Sequence, residues 1–424
     1  MATITIDLQK TIQKMKPMHA GGQPPVNAQA TDIYFHYLTE AGIPYSRLHD
    51  VGGAFGGFKF VDVPNIFRDF NADVDDPASY DFTFTDLLME QLHKAGVEPY
   101  YRLGVTIENA SEIKAYWVHC PTDMQKWARI CEHIILHYTK GWANGYHYNI
   151  TYWEIWNEPD NNPHCWTDTP EKYYEFYTVA AKHLKEKFPE YKIGGYGSSG
   201  FYTVWNPEKE DNAKDQHRVA FFRGFLAYIK AHNAPIDFFS WHHYGSTKDL
   251  IQADKWVGEE LARYGFAGLE THLNEWDPYC NELGTAHHSA EIAATMIAMQ
   301  NGNPQVCCIY DMRTNTAPYC PLFNPITHKP IHGYYSLAAF NMLYQLGMQV
   351  KTDCDTEDLY VLAATDGKRH AMLISNLTKK KQTLEIEGVD LSKAKWHVID
   401  QERLLSWSPA VAEIEKNMVL LIEW

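Results

Sequence analysis

Two short segments place glutamates where acid–base chemistry is feasible. YWEIWNEPD, residues 152 to 160, puts Asn157 and Glu158 directly after an apolar aromatic stretch. In LETHLNEWDPYC, residues 269 to 280, Asn274 and Glu275 end a candidate strand in the same way. A fixed W-N-E-P tetrapeptide arises by chance about once in 160,000 positions if each residue type occurs roughly once in twenty. A polar pair that ends an apolar strand indicates a functional site more than the start of a solvated loop.

Two carboxylates that face each other across a pocket are what glycosidic cleavage with retention of configuration requires. One must hold a proton for the leaving oxygen, and the other, roughly 5 to 5.5 Å away, must be ionised to attack the anomeric carbon. We therefore expect a raised pKa at Glu158 and an ionised Glu275. Asp277 and Glu270 are nearby competitors, but Glu270 begins its strand and would lie at the other end of it.

The elements that would position these glutamates follow a βαβα rhythm from residue 15 to about 345. Helix-like segments such as TFTDLLMEQLHKAG open near Thr, Ser or Asp and close at Gly. Eight such alternations predict a (β/α)8 TIM barrel with its site at the carboxyl ends of the strands. The candidate strands begin near Met15, Ser46, Glu98, Tyr152, Lys192, Ile236, Leu269 and Gln305.

The rhythm changes after SLAAFNMLYQLG to short strands separated by tight turns. This pattern predicts a small C-terminal antiparallel β-sandwich over residues 346–424. We expect the N-terminal strand, residues 2–14, to join it. The fold class is α/β.

Composition excludes several classes of partner. The 424 residues include 37 basic and 53 acidic side chains, a formal charge of −16, which argues against nucleic acid or an anionic membrane. No apolar run is long enough to cross a bilayer. The start has no export-signal pattern and the eight cysteines show no C-x-x-C spacing, so the sequence predicts a cytoplasmic protein with reduced thiols.

Beyond EIWNEP, several segments make the chain similar to glycoside hydrolase clan A and, within it, to family 39, the family of β-xylosidases and α-L-iduronidases. These segments are YSRLHD, YDFTFTDLLMEQLHKAGVEPYYRLG, DFFSWHHY and HLNEW. The resemblance implies Glu158 as acid/base, Glu275 as nucleophile and Asn157 as the ligand of the hydroxyl beside the anomeric carbon. It also implies that His49, His242 and Tyr244 line the pocket.

Two departures from the family pattern bear on the substrate. Strand eight reads CCIYDMRT where the family has a Y-W-x-F run, and Trp241 precedes the strand-six histidine. Scattered arginines such as Arg47, Arg102 and Arg313 form no basic cluster for a uronate. We therefore expect exo-action on terminal sugars of short, neutral, plant-type oligosaccharides, with a β-xyloside first and an arabinoside, glucoside, galactoside or iduronide as alternatives. The substrate-binding candidates are Asn157, His49, His242, Tyr244, Trp241, Arg47, Phe58 and Phe60.

Phe58 and Phe60 belong to a long loop, residues 51–80, that follows strand two. Four glycines and the segment FKFVDV suggest a hairpin rim over the sugar. A surface excursion or a subunit contact is an equal alternative, so a homo-oligomer is possible.

Other readings have weaker support. GYGSSG, residues 195–200, matches a dinucleotide fingerprint, but no helical pattern follows it. His242 and His243 would face opposite sides of a strand, so we expect neither a metal nor another cofactor. A non-catalytic carbohydrate-binding barrel would use the same aromatics without the paired acids. Strand parity places Trp156 on the same side as Glu158.

Overall fold

The computed structural model describes residues 1–26, 34–49, 51, 61–105, 118–204, 212–278, 282–314 and 319–424. The strands in these ranges are β1 Ala2–Lys14, β2 Ala20–Gly22, β3 Tyr45–Leu48, β4 Glu98–Leu103, β5 Tyr152–Ile155, β6 Lys192–Ser198, β7 Phe238–Tyr244, β8 Glu270–Asp277, β9 Pro304–Tyr310, β10 Met348–Cys354, β11 Leu359–Thr365, β12 His370–Asn376, β13 Gln382–Glu387, β14 Lys395–Ile399, β15 Ser406–Ser408, β16 Glu413–Ile414 and β17 Val419–Glu423.

The helices in the same ranges follow the predicted alternation. They are α1 His36–Glu40, α2 Val63–Ile66, α3 Thr83–Lys94, α4 Met124–Lys140, α5 Pro170–Lys187, α6 Ala213–Ala231, α7 Thr247–Arg263, α8 Ala286–Asn301 and α9 His332–Tyr344, with 3₁₀ turns at Pro77–Ser79 and Trp142–Asn144. Side chains of Asp123, Thr169, Asn212, Ser246 and Thr285 cap the N-termini of α4 to α8. These caps satisfy backbone N–H groups that have no partner within the helix.

Strands β2 to β9 form a closed parallel barrel, so the TIM-barrel prediction is confirmed. Its first strand is shorter and later than expected: it comprises Ala20–Gly22 and does not begin near Met15. Lys16, just before it, donates to the carbonyl oxygens of Met299, Gly302 and Pro304. These contacts tie the entry of the chain to the end of α8.

The second sheet has the strand order β15-β14-β17-β12-β11-β10-β1-β13-β16. The N-terminal strand β1 pairs antiparallel with β10, as expected, and parallel with β13. The sheet is therefore antiparallel except at that one pair. A division of the chain at residues 345–346 remains our proposal; α9 ends at Tyr344 and β10 begins at Met348.

Two β-bulges disturb the barrel near its carboxyl end. Gly197 is the extra residue on β6 opposite β7, and Asn274 is the extra residue on β8. A bulge changes which side of the sheet the following residues face. Because of the bulge on β8, the adjacent side chains of Asn274 and Glu275 both reach the polar cluster inside the barrel.

Candidate active site

A buried polar cluster lies inside the barrel at the carboxyl ends of its strands. Glu158 follows β5, and Glu275 lies near the end of β8. One carboxylate oxygen each of Glu158 and Glu275 and one ring nitrogen of His242 lie within 4.8 Å of one another. The two glutamates that the sequence singled out are therefore brought together at one site.

Arg47 joins the two glutamate-bearing strands. Its guanidinium donates to Glu154 Oε2 at 2.8 Å, to Glu275 Oε2 at 3.1 Å and to Asn157 Oδ1 at 2.7 Å. The Arg47 and Glu154 side chains are fully buried. A buried guanidinium needs such anionic and carbonyl partners to offset its lost hydration.

Glu154 lies beneath the site, and the sequence analysis did not assign it a role. Its Oε1 accepts from the Ser240 hydroxyl at 2.6 Å and from Asn274 Nδ2 at 2.7 Å. Burial opposes its ionisation, but the charge of Arg47 and these hydrogen bonds outweigh that effect and lower its pKa. A glutamate between apolar residues in the strand Y-W-E-I was the available signal for an inward-facing charge.

Each of the two site glutamates has its own set of donors. Glu275 Oε1 accepts from the Tyr244 hydroxyl at 2.6 Å. Glu158 Oε1 lies 2.8 Å from His242 Nδ1, and Glu158 Oε2 accepts from Asn161 Nδ2 at 3.0 Å. His242 also lies 3.6 Å from Glu275, so it stands between the two carboxylates.

The pKa shifts of Glu158 and Glu275 are opposite to those expected from the sequence. Burial acts against ionisation of Glu158, but the hydrogen bond and charge of His242 prevail and lower its pKa. Burial raises the pKa of Glu275 by more than His242 lowers it, and the charge of Glu158 adds to the rise. Burial would lower the pKa of His242, but the charge of Glu275 and the hydrogen bond to Glu158 raise it.

The other predicted residues lie in different surroundings. His49 is buried, and its ring centroid lies 6.2 Å from that of Tyr310. Trp241 alternates with Ser240 and His242 along β7 and is fully buried, so the structure does not bring it into the polar cluster. Phe58 and Phe60 lie outside the described residues. The described part of their loop continues from Val61 into α2.

The parity prediction for Trp156 is wrong. Its ring packs against Trp127, Trp166 and Phe176 at centroid distances of 5.2 to 6.3 Å, away from Glu158. Trp156 and Glu158 both have positive φ angles, 74° and 48°. Alternation holds only in extended backbone, and β5 ends at Ile155, before both residues.

Gly197, within the GYGSSG segment, contacts the site and does not form a nucleotide loop. A Cβ atom there would lie 3.2 Å from Arg47 Nη2, Glu154 Oε1 and His242 Nε2, at a φ of +61°. The Gly197 carbonyl oxygen also accepts from the Glu158 backbone N–H at 2.8 Å. Glycine is therefore required for close backbone approach to the polar cluster.

A metal ion could also be held by three residues of the site, because their potential ligand atoms lie close together: Glu158, His242 and Glu275. Arg47 is a permanent cation 3.1 Å from Glu275. A further cation between the carboxylates would be repelled by it, so the donor set fits proton transfer better than metal binding.

The chain matches one family of known proteins over most of its length. Residues 4–276 match the model for glycosyl hydrolases family 39. The chain belongs to this family. The match includes both glutamates and most of the barrel, which agrees with the resemblance read from the motifs.

Individual family-39 relatives and structural neighbours are distant. A beta-xylosidase of Geobacillus stearothermophilus is 22% identical over a 273-residue alignment that covers 56% of this chain and 50% of that protein. The matched region thus spans about half the length of that curated relative. A glucosidase structure from Croceicoccus marinus covers 100% of this chain and 98% of its own, with 20% identity and a TM-score of 0.80. A family-39 beta-xylosidase structure from Caulobacter crescentus has 19% identity, 99% coverage of both chains and a TM-score of 0.73.

At such identities the structural neighbours establish the fold alone. Among the described residues of this family-39 chain, no helix is both long enough and apolar enough to cross a membrane.

Proposed function

We propose that this family-39 protein is a retaining glycoside hydrolase that removes terminal neutral sugars from short oligosaccharides or glycosides. The observation that carries the proposal is the pair of carboxylates, Glu158 and Glu275, which have one oxygen each within 4.8 Å of the other. Such proximity supports the retaining arrangement, in which the two carboxyl groups lie only about 5 to 5.5 Å apart.

Glu275 acts as the nucleophile in this proposal. Arg47 and Tyr244 donate to its two oxygens, and hydrogen bonds of this kind stabilise the ionised form. In the first step an oxygen of Glu275 bonds to the anomeric carbon, and the bond from that carbon to the leaving oxygen breaks. Water then cleaves the glycosyl ester, with Glu158 as the base, and the configuration is retained.

Glu158 acts as the acid, with His242 as the source of its proton. The Glu158 side chain is 16% exposed, whereas His242 is fully buried. A bound sugar would remove the remaining water from Glu158 and make its charge costlier, but would change the hydration of His242 little. The proton can then cross the 2.8 Å contact from Nδ1 to Glu158 Oε1 and pass on to the leaving oxygen.

We propose β-xylosides as the first substrate class. The family assignment and the likeness to two proteins named beta-xylosidase support it, and the likeness to a glucosidase supports a β-glucoside as the second candidate. Asn157 would bind the hydroxyl beside the anomeric carbon, and His49 would line the same pocket. We also propose that the protein acts without a metal or an organic cofactor and is cytoplasmic.

A panel of 4-nitrophenyl glycosides tests the reaction and the sugar together. We expect the highest kcat/KM with the β-xyloside, lower values with the β-glucoside and α-L-arabinofuranoside, and a product whose first-formed anomer is β by NMR. An inverted first product would refute the mechanism. Activity confined to uronides would refute the neutral substrate, and binding of xylo-oligosaccharides without turnover would indicate the carbohydrate-binding alternative.

A further inference from the structure

Gln23 occupies an unusual position at the carboxyl end of the first barrel strand. Its side chain is fully buried, and its backbone has a φ of 58°, which residues other than glycine seldom adopt. Its N–H donates to the Arg47 carbonyl oxygen at 2.8 Å. The strained backbone thus fixes Gln23 beside the strand that carries Arg47.

The amide of Gln23 is only partly satisfied. Nε2 donates to the Tyr310 hydroxyl at 3.0 Å, whereas Oε1 is buried and has no hydrogen-bond partner. Turning the amide over would let Tyr310 donate to Oε1 but would then take Nε2 away from its acceptor. Buried polar atoms nearly always have partners, so an unpaired amide atom held in place by backbone strain needs an explanation.

Gln23 adjoins the candidate site by two routes. Through its backbone it contacts Arg47, which donates to Glu275. Through its side chain it contacts Tyr310, whose ring centroid lies 6.5 Å from that of Tyr244, the second donor to Glu275. Both routes lead to Glu275, and Gln23 follows β2, which lies three strands away from β5, the strand that Glu158 follows.

We propose that Gln23 is a specificity-determining residue whose Oε1 accepts a hydrogen bond from the C3 or C4 hydroxyl of the terminal sugar. The inference rests on the proposed function and adds a contact to it. Asn157, on the acid side, is the proposed partner of the C2 hydroxyl. Gln23 belongs to the opposite side, where the hydroxyls remote from the anomeric carbon would lie. A site built to bind a hydroxyl strongly rejects the analogue that lacks it, since its own polar atom is then unpaired.

The test combines protein variants with deoxygenated substrates. The variants are Gln23→Leu, which removes the acceptor, and Gln23→Asn, which tolerates the positive φ but withdraws the amide by one methylene. Gln345→Leu, at an exposed position outside the site, is the control. Each protein is assayed with 4-nitrophenyl β-xyloside and its 3-deoxy and 4-deoxy analogues, and thermal unfolding checks that the variants fold.

We expect kcat/KM for the parent xyloside to fall about 10- to 100-fold in both Gln23 variants, since each leaves a hydroxyl without its partner. For one of the two deoxy substrates, the wild type and the variants should differ by less than about threefold. Equal losses on all three substrates, as a bound water or a purely structural role would give, overturn the inference, as do unchanged kinetics. Those results leave the proposed function intact. A wild type that turns over no glycoside would instead refute the proposed function, and the inference with it.

Discussion

Glu270 and Glu275 lie on the same strand, β8, yet their pKa values shift in opposite directions. Burial favours the neutral form of both. At Glu270 the hydrogen bond and charge of His272, with further donation from Lys192 and Tyr152, overcome burial and lower the pKa to about 2. At Glu275 burial prevails, the charge of Glu158 adds to it, and the pKa is raised.

The two glutamates differ in the charged groups that surround them. Glu270 stands among donors at the amino end of the barrel, an arrangement that stabilises one fixed charge. Glu275 shares Arg47 with Glu154 and His242 with Glu158, so a proton or a ligand decides which group is charged. The two ends of one strand thus separate a structural charge from one placed for chemistry.

The largest expected effect is at Glu275. Replacing Glu275 with Ala removes the proposed nucleophile and should lower kcat by about four orders of magnitude or more, because the remaining groups cannot form the covalent intermediate. Azide should restore turnover of an activated aryl β-xyloside and yield the α-glycosyl azide, detectable by NMR. A β-azide product, or a variant with near-native activity, would contradict the assignment.

Glu158→Ala should have a large effect that depends on the leaving group. Loss of a general acid costs roughly 10² to 10⁴-fold, and the loss is greatest when the leaving oxygen needs a proton. We expect a steep fall in kcat/KM for xylobiose and a small one for the 2,4-dinitrophenyl glycoside. Equal losses on both substrates would argue against Glu158 as the acid.

His242→Gln should change the pH profile more than the maximal rate. In the proposed mechanism, His242 and Glu158 share one proton, and the raised pKa of His242 keeps that proton to higher pH. Without the imidazole, Glu158 alone must hold it, and a carboxyl ordinarily titrates about two pH units below an imidazole. The alkaline limb of kcat/KM should therefore move to lower pH, by about one unit. An unchanged limb would show that His242 only positions Glu158.

Glu270→Gln should affect stability and spare activity. Its pKa of about 2 lies below that of an unfolded glutamate, so its contribution is present above the unfolded pKa and lost as pH falls through the folded value. We expect the variant to lose about 2 kcal/mol of unfolding free energy at neutral pH. This deficit relative to wild type should shrink as pH falls from about 4.5 towards 2. Denaturant titrations at several pH values measure it, and a large loss of kcat without destabilisation would contradict the division between the two ends of β8.

The sequence sufficed to predict which strands end in glutamates, since apolar runs followed by polar pairs reveal strand ends. The first barrel strand was misplaced because Met15 and Met18 are apolar and buried without joining the barrel ladder. The inward direction of the Asn274 side chain depends on a bulge, and the packing of Trp156 against α4 and α5 follows positive φ angles at Trp156 and Glu158. Neither leaves a clear signal in residue type.

The direction of the pKa shifts at Glu158 and Glu275 could not be predicted from the sequence either. It depends on His242 standing 2.8 Å from one carboxylate and 3.6 Å from the other, a balance set by strands far apart in the chain. Gln23 was missed for a similar reason. A glutamine after a glycine pair is an ordinary turn sequence until the structure brings it beside Tyr310.

The place of β1 in the second sheet has a consequence for the order of folding. β1 lies between β10 and β13, so it has no sheet partner until the ribosome has made residues some 350 positions later. Contacts so distant in sequence form slowly, and an unpaired strand edge invites association with other chains in the meantime. The barrel can assemble while the chain is still being made, whereas β1 gains its second sheet partner only after β13 has emerged. Although β1 precedes every other strand of this sheet in the chain, it is thus among the last to be paired on both sides.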